Sequence, residues 1–150
     1  MGGRFQLTKG KNRYRITIHD IHNVDQKVSD TTMTVFGNLI PDDYGFTLRY
    51  LEQSGEMEGF ATEIGYDADA NTVSIRRRGD SSMELFLEED KRHNCVYDLP
   101  EGRLIMGVSA RKVNTSMSRF GGRMDLVYDI DFNAGFVSEN TLEITVKEIF

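Results

Sequence analysis

Four polar side chains stand where the sequence pattern calls for apolar ones. Glu52, Arg77, His93 and Asn140 each continue the alternation of neighbouring apolar residues, at the spacing that marks a buried strand face. Tyrosines and a methionine share those faces, and the full candidate set is Tyr50, Glu52, Arg77, His93, Tyr97, Met106, Tyr128 and Asn140. The set predicts a cavity in which Arg77 meets an anionic or polar head group while the tyrosines and Met106 hold an apolar body.

Acid–base chemistry is a second use of the same residues. Glu52 and His93 would have to lie within hydrogen-bond reach of a substrate and have pKa values suited to proton transfer. The sequence supplies the residue types but no nucleophile elbow, phosphate loop or paired metal-binding cysteines. We therefore assign no catalytic residue, cofactor or metal ligand and expect a protein that is not an enzyme.

The elements that must position these side chains are strands, as the stretch 122–132 shows most clearly. Its alternating apolar residues are Met124, Leu126, Tyr128, Ile130 and Phe132. A period of two gathers them on one face of an extended chain, whereas helical spacing would scatter them around the axis. The turn at 133–135 and the alternation of Leu142, Ile144 and Val146 then predict a long antiparallel hairpin with one dry face.

The same alternation recurs from Tyr14 onwards, broken by turn signals. A first strand through Ile18 is followed by an expected loop at 22–25 and a second strand over about 28–39. No long stretch keeps a helical period. We predict an all-β fold of roughly eight to ten strands in an up-and-down antiparallel meander, closed into a barrel because closure removes both edges. A two-sheet sandwich is the structural alternative.

Length and charge limit the domain organisation and the partners. The 150 residues predict a flexible lead-in over 1–11 and a single barrel domain over 12–150. A net charge of −6 repels phosphate backbones and anionic lipid, so we expect neither a nucleic-acid nor a membrane partner. With one cysteine and no apolar leader or membrane span, the expected location is the cytoplasm.

Three other motifs have simpler explanations than chemistry. His19, Asp20 and His22, together with Asp25, resemble a metal site, but two histidines at a strand end lack a third ligand of fixed spacing and fit solvated loop residues better. Cys95 lies on an inward face, where it serves as a small apolar residue. The run 76–78 of arginines is divided between two faces by strand alternation, which argues against a nucleic-acid site.

Most of the chain resembles the YwiB-like family of bacterial proteins, a domain of unknown function with a calycin-like, lipocalin-type β-barrel. The resemblance rests on Tyr50-Leu51-Glu52, Gly55-Glu56-Met57-Glu58-Gly59, Arg77-Arg78-Gly79 with Ser81-Ser82-Met83, His93 and Tyr97 ahead of Pro100-Glu101-Gly102, Gly121-Gly122 ahead of Tyr128, and Val137-Ser138-Glu139-Asn140 ahead of Leu142 and Ile144. It implies a closed barrel in a single-domain cytosolic protein and brings no assigned activity or catalytic residue.

Two functions follow from an apolar barrel wall that carries polar residues. The first is a barrel that binds a small amphipathic molecule inside. The second is a protein-interaction or structural module whose barrel is filled by its own side chains, with Glu52 and Arg77 as a satisfied polar plug at one end. The sequence leaves the ligand, the protein partner and the oligomeric state open.

Overall fold

The computed structural model describes residues 13–53, 58–132 and 135–149. These residues form ten strands: β1 (Tyr14–Val24), β2 (Lys27–Pro41), β3 (Gly45–Leu51), β4 (Ala61–Asp67), β5 (Thr72–Arg78), β6 (Ser82–Glu88), β7 (Arg92–Leu99), β8 (Gly102–Ser118), β9 (Gly121–Phe132) and β10 (Gly135–Glu148). The expected lead-in at 1–11 lies outside the described residues, as does most of the 133–135 turn. Within the described ranges, no helix is long and apolar enough to cross a membrane.

Each strand pairs antiparallel with the next one in sequence, and β10 pairs with β1 to complete the ring. The predicted all-β, up-and-down barrel is therefore confirmed, and the sandwich alternative is wrong. Closure suits this sequence because alternation gives every strand one apolar face, and a ring directs all of those faces to one interior.

The long hairpin of β9 and β10 brings apolar partners together across the strands. Leu126 lies opposite Leu142, and Met124 lies opposite Ile144. The most deeply buried side chains of the barrel are Ile16, Val35, Leu48, Ile64, Val73, Ile75, Leu85, Leu87, Met124, Leu126, Leu142 and Ile144. Burial of each such side chain contributes roughly 1.5–3 kcal/mol, so this apolar interior supplies most of the driving force for folding.

The hairpin of β1 and β2 is longer than the sequence indicates. The expected loop at 22–25 is wrong, because β1 runs on to Val24 and the turn consists of Asp25 and Gln26. Both turn residues have positive φ, 54° and 65°, as a two-residue hairpin turn of type I′ requires. The added length carries Asp20 and His22 along the inward face of β1.

Strand β2 changes partner along its length. It pairs with β1 from Lys27 to Gly37 and with β3 only from Asn38 to Pro41. Gly37 lies at the change, where an added Cβ would collide with the backbone carbonyl of Arg49. A glycine is needed here because the two backbones approach each other more closely than a side chain would allow.

The pairing between β6 and β7 is the shortest among the described strands. Its residue pairs run only from Ser82 to Glu84 on the β6 side. Beyond them the backbone N–H of Phe86 donates to the Cys95 Sγ, 3.3 Å away. The thiol thus takes the place of a ladder bond, in addition to the packing role that the sequence suggests for it.

Candidate functional site

A cavity of about 340 Å³ lies at one end of the barrel. Its lining comes from the late part of β1, β3, β5 and β9 and from the early part of β2, β6 and β10, which an up-and-down meander brings to the same end. The apolar wall consists of Ile18, Met33, Met83, Leu85 and Ile130. The polar groups are Asp20, His22, Thr31, Thr32, Tyr50, Glu52, Arg77, Tyr128 and Asn140.

Arg77 and Glu52 form the charged centre of the cavity. Their side chains are 14% and 11% exposed, and Arg77 Nε lies 3.7 Å from Glu52 Oε2, which is too long for a hydrogen bond. The buried hydroxyl of Thr62 donates to the same carboxylate oxygen at 2.6 Å. Glu52 therefore has a close partner besides the cation, and Arg77 is held only loosely by Glu52.

Two buried phenols flank the guanidinium. Burial raises the pKa of Tyr128 to about 12 and the pKa of Tyr50 above its usual range, although the nearby Arg77 lowers both. Burial also lowers the pKa of Arg77, but the surrounding phenols and carboxylates raise it by more. The phenols are thus neutral and the guanidinium charged at physiological pH, so the site presents one fixed cation beside two hydroxyl groups.

A chain of hydrogen bonds connects Asn140 to the β1 residues. Asn140 Nδ2 donates to Ser138 Oγ at 3.0 Å, and its Oδ1 lies 2.5 Å from His22 Nδ1. The other imidazole nitrogen of His22 is 3.2 Å from Asp20 Oδ2. Hydrogen bonding to Asp20 raises the pKa of His22, and burial opposes that shift. Because both ring nitrogens face oxygen acceptors, the protonated imidazole fits this arrangement best and offsets the charge of Asp20.

Five of the eight residues predicted from the sequence line this cavity: Tyr50, Glu52, Arg77, Tyr128 and Asn140. The other three do not. His93 is half-buried and binds Glu88 at 2.9 Å, Tyr97 packs against the core, and Met106 is part of the core beside Cys95. Alternation predicts which face of a strand a residue lies on, but it does not predict how far along the barrel axis the residue lies. It therefore could not show that these three residues lie away from the end cavity.

Sequence reasoning missed Asp20 and His22 as cavity residues. It placed His22 in a loop and took the histidine-rich segment as solvated. The usable signal was the alternation itself, since Asp20 and His22 continue the inward spacing of Ile16 and Ile18. Reading that alternation through the polar residues would have extended β1 to its observed end.

Strand geometry separates the two histidines of the segment 19–22. His19 lies on the outer face, where its two ring nitrogens contact Glu143 Oε1 at 2.9 Å and Asp30 Oδ1 at 2.6 Å. Both hydrogen bonds raise the pKa of His19, and the bond to Glu143 has the larger effect. In the part of the chain that the structure describes, no cluster of three or more His, Cys, Asp or Glu side chains has the geometry to hold a metal ion.

The barrel architecture has a counterpart among solved structures. The crystal structure of the YwiB protein from Bacillus subtilis matches with a TM-score of 0.79 over 91% of this chain and 92% of that one. Sequence identity is 14%, so this likeness concerns the fold alone. No curated protein matches the chain. A family model described as a domain of unknown function, DUF1934, matches residues 16–144, and the chain belongs to that family.

Proposed function

We propose that this protein is a non-enzymatic, calycin-like binding protein of the cytoplasm that holds a small amphipathic molecule in the end cavity. The observation that carries the proposal is the Arg77 guanidinium, which faces a cavity with an apolar wall while its nearest described carboxylate stands 3.7 Å away. A charge kept only to plug the barrel would pair with a carboxylate at hydrogen-bond distance, whereas Arg77 hydrogen-bonds to the neutral Tyr50 phenol. The location rests on a lone cysteine that no disulfide framework uses.

The cavity volume limits the size of the ligand. Pockets for small molecules typically measure roughly 300–1,000 Å³, and this one, at about 340 Å³, is near the lower limit. Its inner wall is formed by aliphatic and thioether side chains, which favour a flexible hydrocarbon body. The ligand class is therefore a short apolar chain with one compact head group.

The charged side chains of the cavity that already have close partners indicate the chemistry of the ligand's head group. Thr62 donates to Glu52, and His22 faces Asp20, so both carboxylates have a close polar neighbour. The guanidinium has five N–H donors, and its planar geometry suits a pair of oxygens. We therefore expect a head group with acceptor oxygens, such as a carboxylate, bound by Arg77 and bordered by the phenols of Tyr50 and Tyr128.

Octanoate and octanol form a matched pair of probes that differ only in the head group. Isothermal titration calorimetry should show octanoate binding tighter than octanol by roughly tenfold or more, because a charged hydrogen bond contributes about 1.5–3 kcal/mol. In Arg77→Met this preference should disappear. In Arg76→Met it should persist, since Arg76 is the adjacent residue on the outer face, bound to Glu84 at 2.6 Å.

Two results would count against the proposal. One is failure of octanoate to bind the wild-type protein, combined with native mass spectra of gently purified protein that show no added mass. The other is an equal loss of octanoate affinity in the two arginine variants, which would place the effect outside the cavity.

A protein-interaction module is the second candidate function. The buried apolar side chains of the described strands pack into one core cluster, as a side-chain-filled barrel requires. The specific observation in its favour is an exposed stretch of β2 that carries Val28 and Phe36, which are 65% and 52% exposed. Neither candidate involves a nucleic-acid or membrane partner.

A further inference from the structure

The first half of β2 is a sheet edge with which only β1 pairs among the described strands. From Val28 to Phe36 the strand pairs with β1 on one side, while its pairing with β3 begins only at Asn38. Most of the stretch is exposed, with Val35 as the buried exception. Backbone groups along such an edge are unpaired donors and acceptors, which is the usual template for adding another strand.

Hairpin geometry defines which backbone groups face outwards. The two-residue turn makes Val24 and Lys27 a hydrogen-bonded pair, and bonding to β1 then recurs at every second residue of β2. The N–H and C=O groups of the intervening residues point away from β1. These are the backbone groups of Val28, Asp30, Thr32, Thr34 and Phe36.

This edge lacks the features that normally prevent strand addition. It contains no proline and no register shift, and its one lysine, Lys27, stands at the end next to the turn. Its only acid, Asp30, is bound by His19 at 2.6 Å, so a partner strand would not meet a free carboxylate. Threonine and valine dominate the rest of the segment, and both favour extended pairing.

The edge is also complementary to itself. An antiparallel pairing with a two-fold axis at Thr32 places Val28 opposite Phe36 of the second copy and Asp30 opposite Thr34 of that copy. Every outward-facing backbone group then meets one on the partner. The same register covers the two large exposed apolar side chains with each other, which a shift of one residue would not do.

We propose that two copies of this chain associate through antiparallel pairing of their β2 edges, centred on Thr32. A strand edge of this length buries little surface, so the dimer should form reversibly as concentration rises. Thr31, Thr32 and Met33 also line the end cavity, so the partner strand would run beside its mouth. The inference does not depend on the cavity having a ligand.

Disulfide trapping tests the register. A residue on the two-fold axis faces its own copy at about 5.5 Å between Cα atoms, within disulfide range, so Thr32→Cys should cross-link to itself under mild oxidation. Val28→Cys should not, because the two copies of position 28 lie roughly 27 Å apart in this register at 3.4 Å per residue. A mixture of Val28→Cys and Phe36→Cys should cross-link only between the two variants. Self-linking of Val28→Cys equal to that of Thr32→Cys would overturn the assigned register.

Sedimentation velocity over a concentration series tests the association itself. Thr32→Pro removes an N–H that faces away from β1, so it should abolish the dimer while leaving the barrel folded by circular dichroism. Phe36→Lys should weaken association at least tenfold. Ile105→Lys is the matched control, because Ile105 is equally exposed at 52% but lies on β8, and it should dimerise like wild type. Wild-type protein that stays monomeric at millimolar concentration, or a dimer that survives in folded Thr32→Pro, would overturn the proposal.

Discussion

Replacing Arg77 with methionine removes the cavity cation while keeping most of its aliphatic length. At 3.7 Å the attraction to Glu52 is about 4 kcal/mol for an effective dielectric constant near 20 and about 1 kcal/mol in bulk water. Loss of the guanidinium also removes the cost of burying it, and Glu52 keeps its bond from Thr62. Water that enters the cavity would solvate the remaining carboxylate. We therefore expect unfolding free energy to fall by about 1–2 kcal/mol.

Urea unfolding followed by circular dichroism would measure this loss, with Arg76→Met as the control. Arg76 is 45% exposed, so its pair with Glu84 should contribute at most about 0.5 kcal/mol. A double-mutant cycle with Glu52→Gln isolates the Arg77 contribution from general packing effects. A loss of 3–5 kcal/mol, the usual cost of breaking a sealed ion pair, would refute the reasoning by showing that water does not reach the site. Equal losses for the two arginine variants would also refute the reasoning, because Arg77 would then contribute no more stability than the exposed Arg76.

Three further predictions concern the barrel itself. Leu126→Ala should cost about 2–5 kcal/mol and Val127→Ala distinctly less in urea unfolding, since only Leu126 is fully buried; equal costs would contradict the assigned faces. His19 has a raised pKa in the folded state, so its contribution to stability is full below the unfolded value of about 6.5 and is lost as pH rises through the folded value. The stability difference between wild type and His19→Gln should therefore shrink across that pH window. A difference that grows would contradict the stabilising role of the His19 contacts with Glu143 and Asp30. Gly37→Ala should destabilise by about 1–3 kcal/mol through backbone collision, whereas Gly65→Ala, where the new Cβ meets only a hydroxyl side chain, should cost far less.

Alternation predicted the fold because this barrel buries one face of every strand. Residues such as Ile16 and Leu126 repeat a two-residue spacing that only an extended chain with one apolar side can use. Register shifts were beyond that reasoning. Opposite Val127 and Tyr128 the register of β8 shifts, so both Ala110 and Val113 are buried although their spacing is odd. The odd spacing alone does not identify a bulge, because a bulge depends on how two strands pair and a turn would change the spacing in the same way.

The candidate site could be predicted only in part, for a related reason. Alternation showed that Glu52 and Arg77 share the interior, and the structure brings them to one cavity. It could not show that Met106 lies elsewhere, because position along the barrel axis depends on strand stagger rather than on local sequence. It also failed for His22, where polar residues hid the continuation of β1. Strand length, not side-chain type, was the missing information.

The pairing of β1 with β10 has a consequence for how the barrel folds. Every other neighbouring pair of strands is adjacent in the chain and can form as a hairpin, whereas Ile18 and Ile144 meet across most of the sequence. Bringing such distant segments together has the largest entropy cost, so this contact should form late, after the intervening hairpins have curved the sheet. Substitutions at this junction should then speed unfolding more than they slow folding, which makes the closing strand pair the determinant of kinetic lifetime.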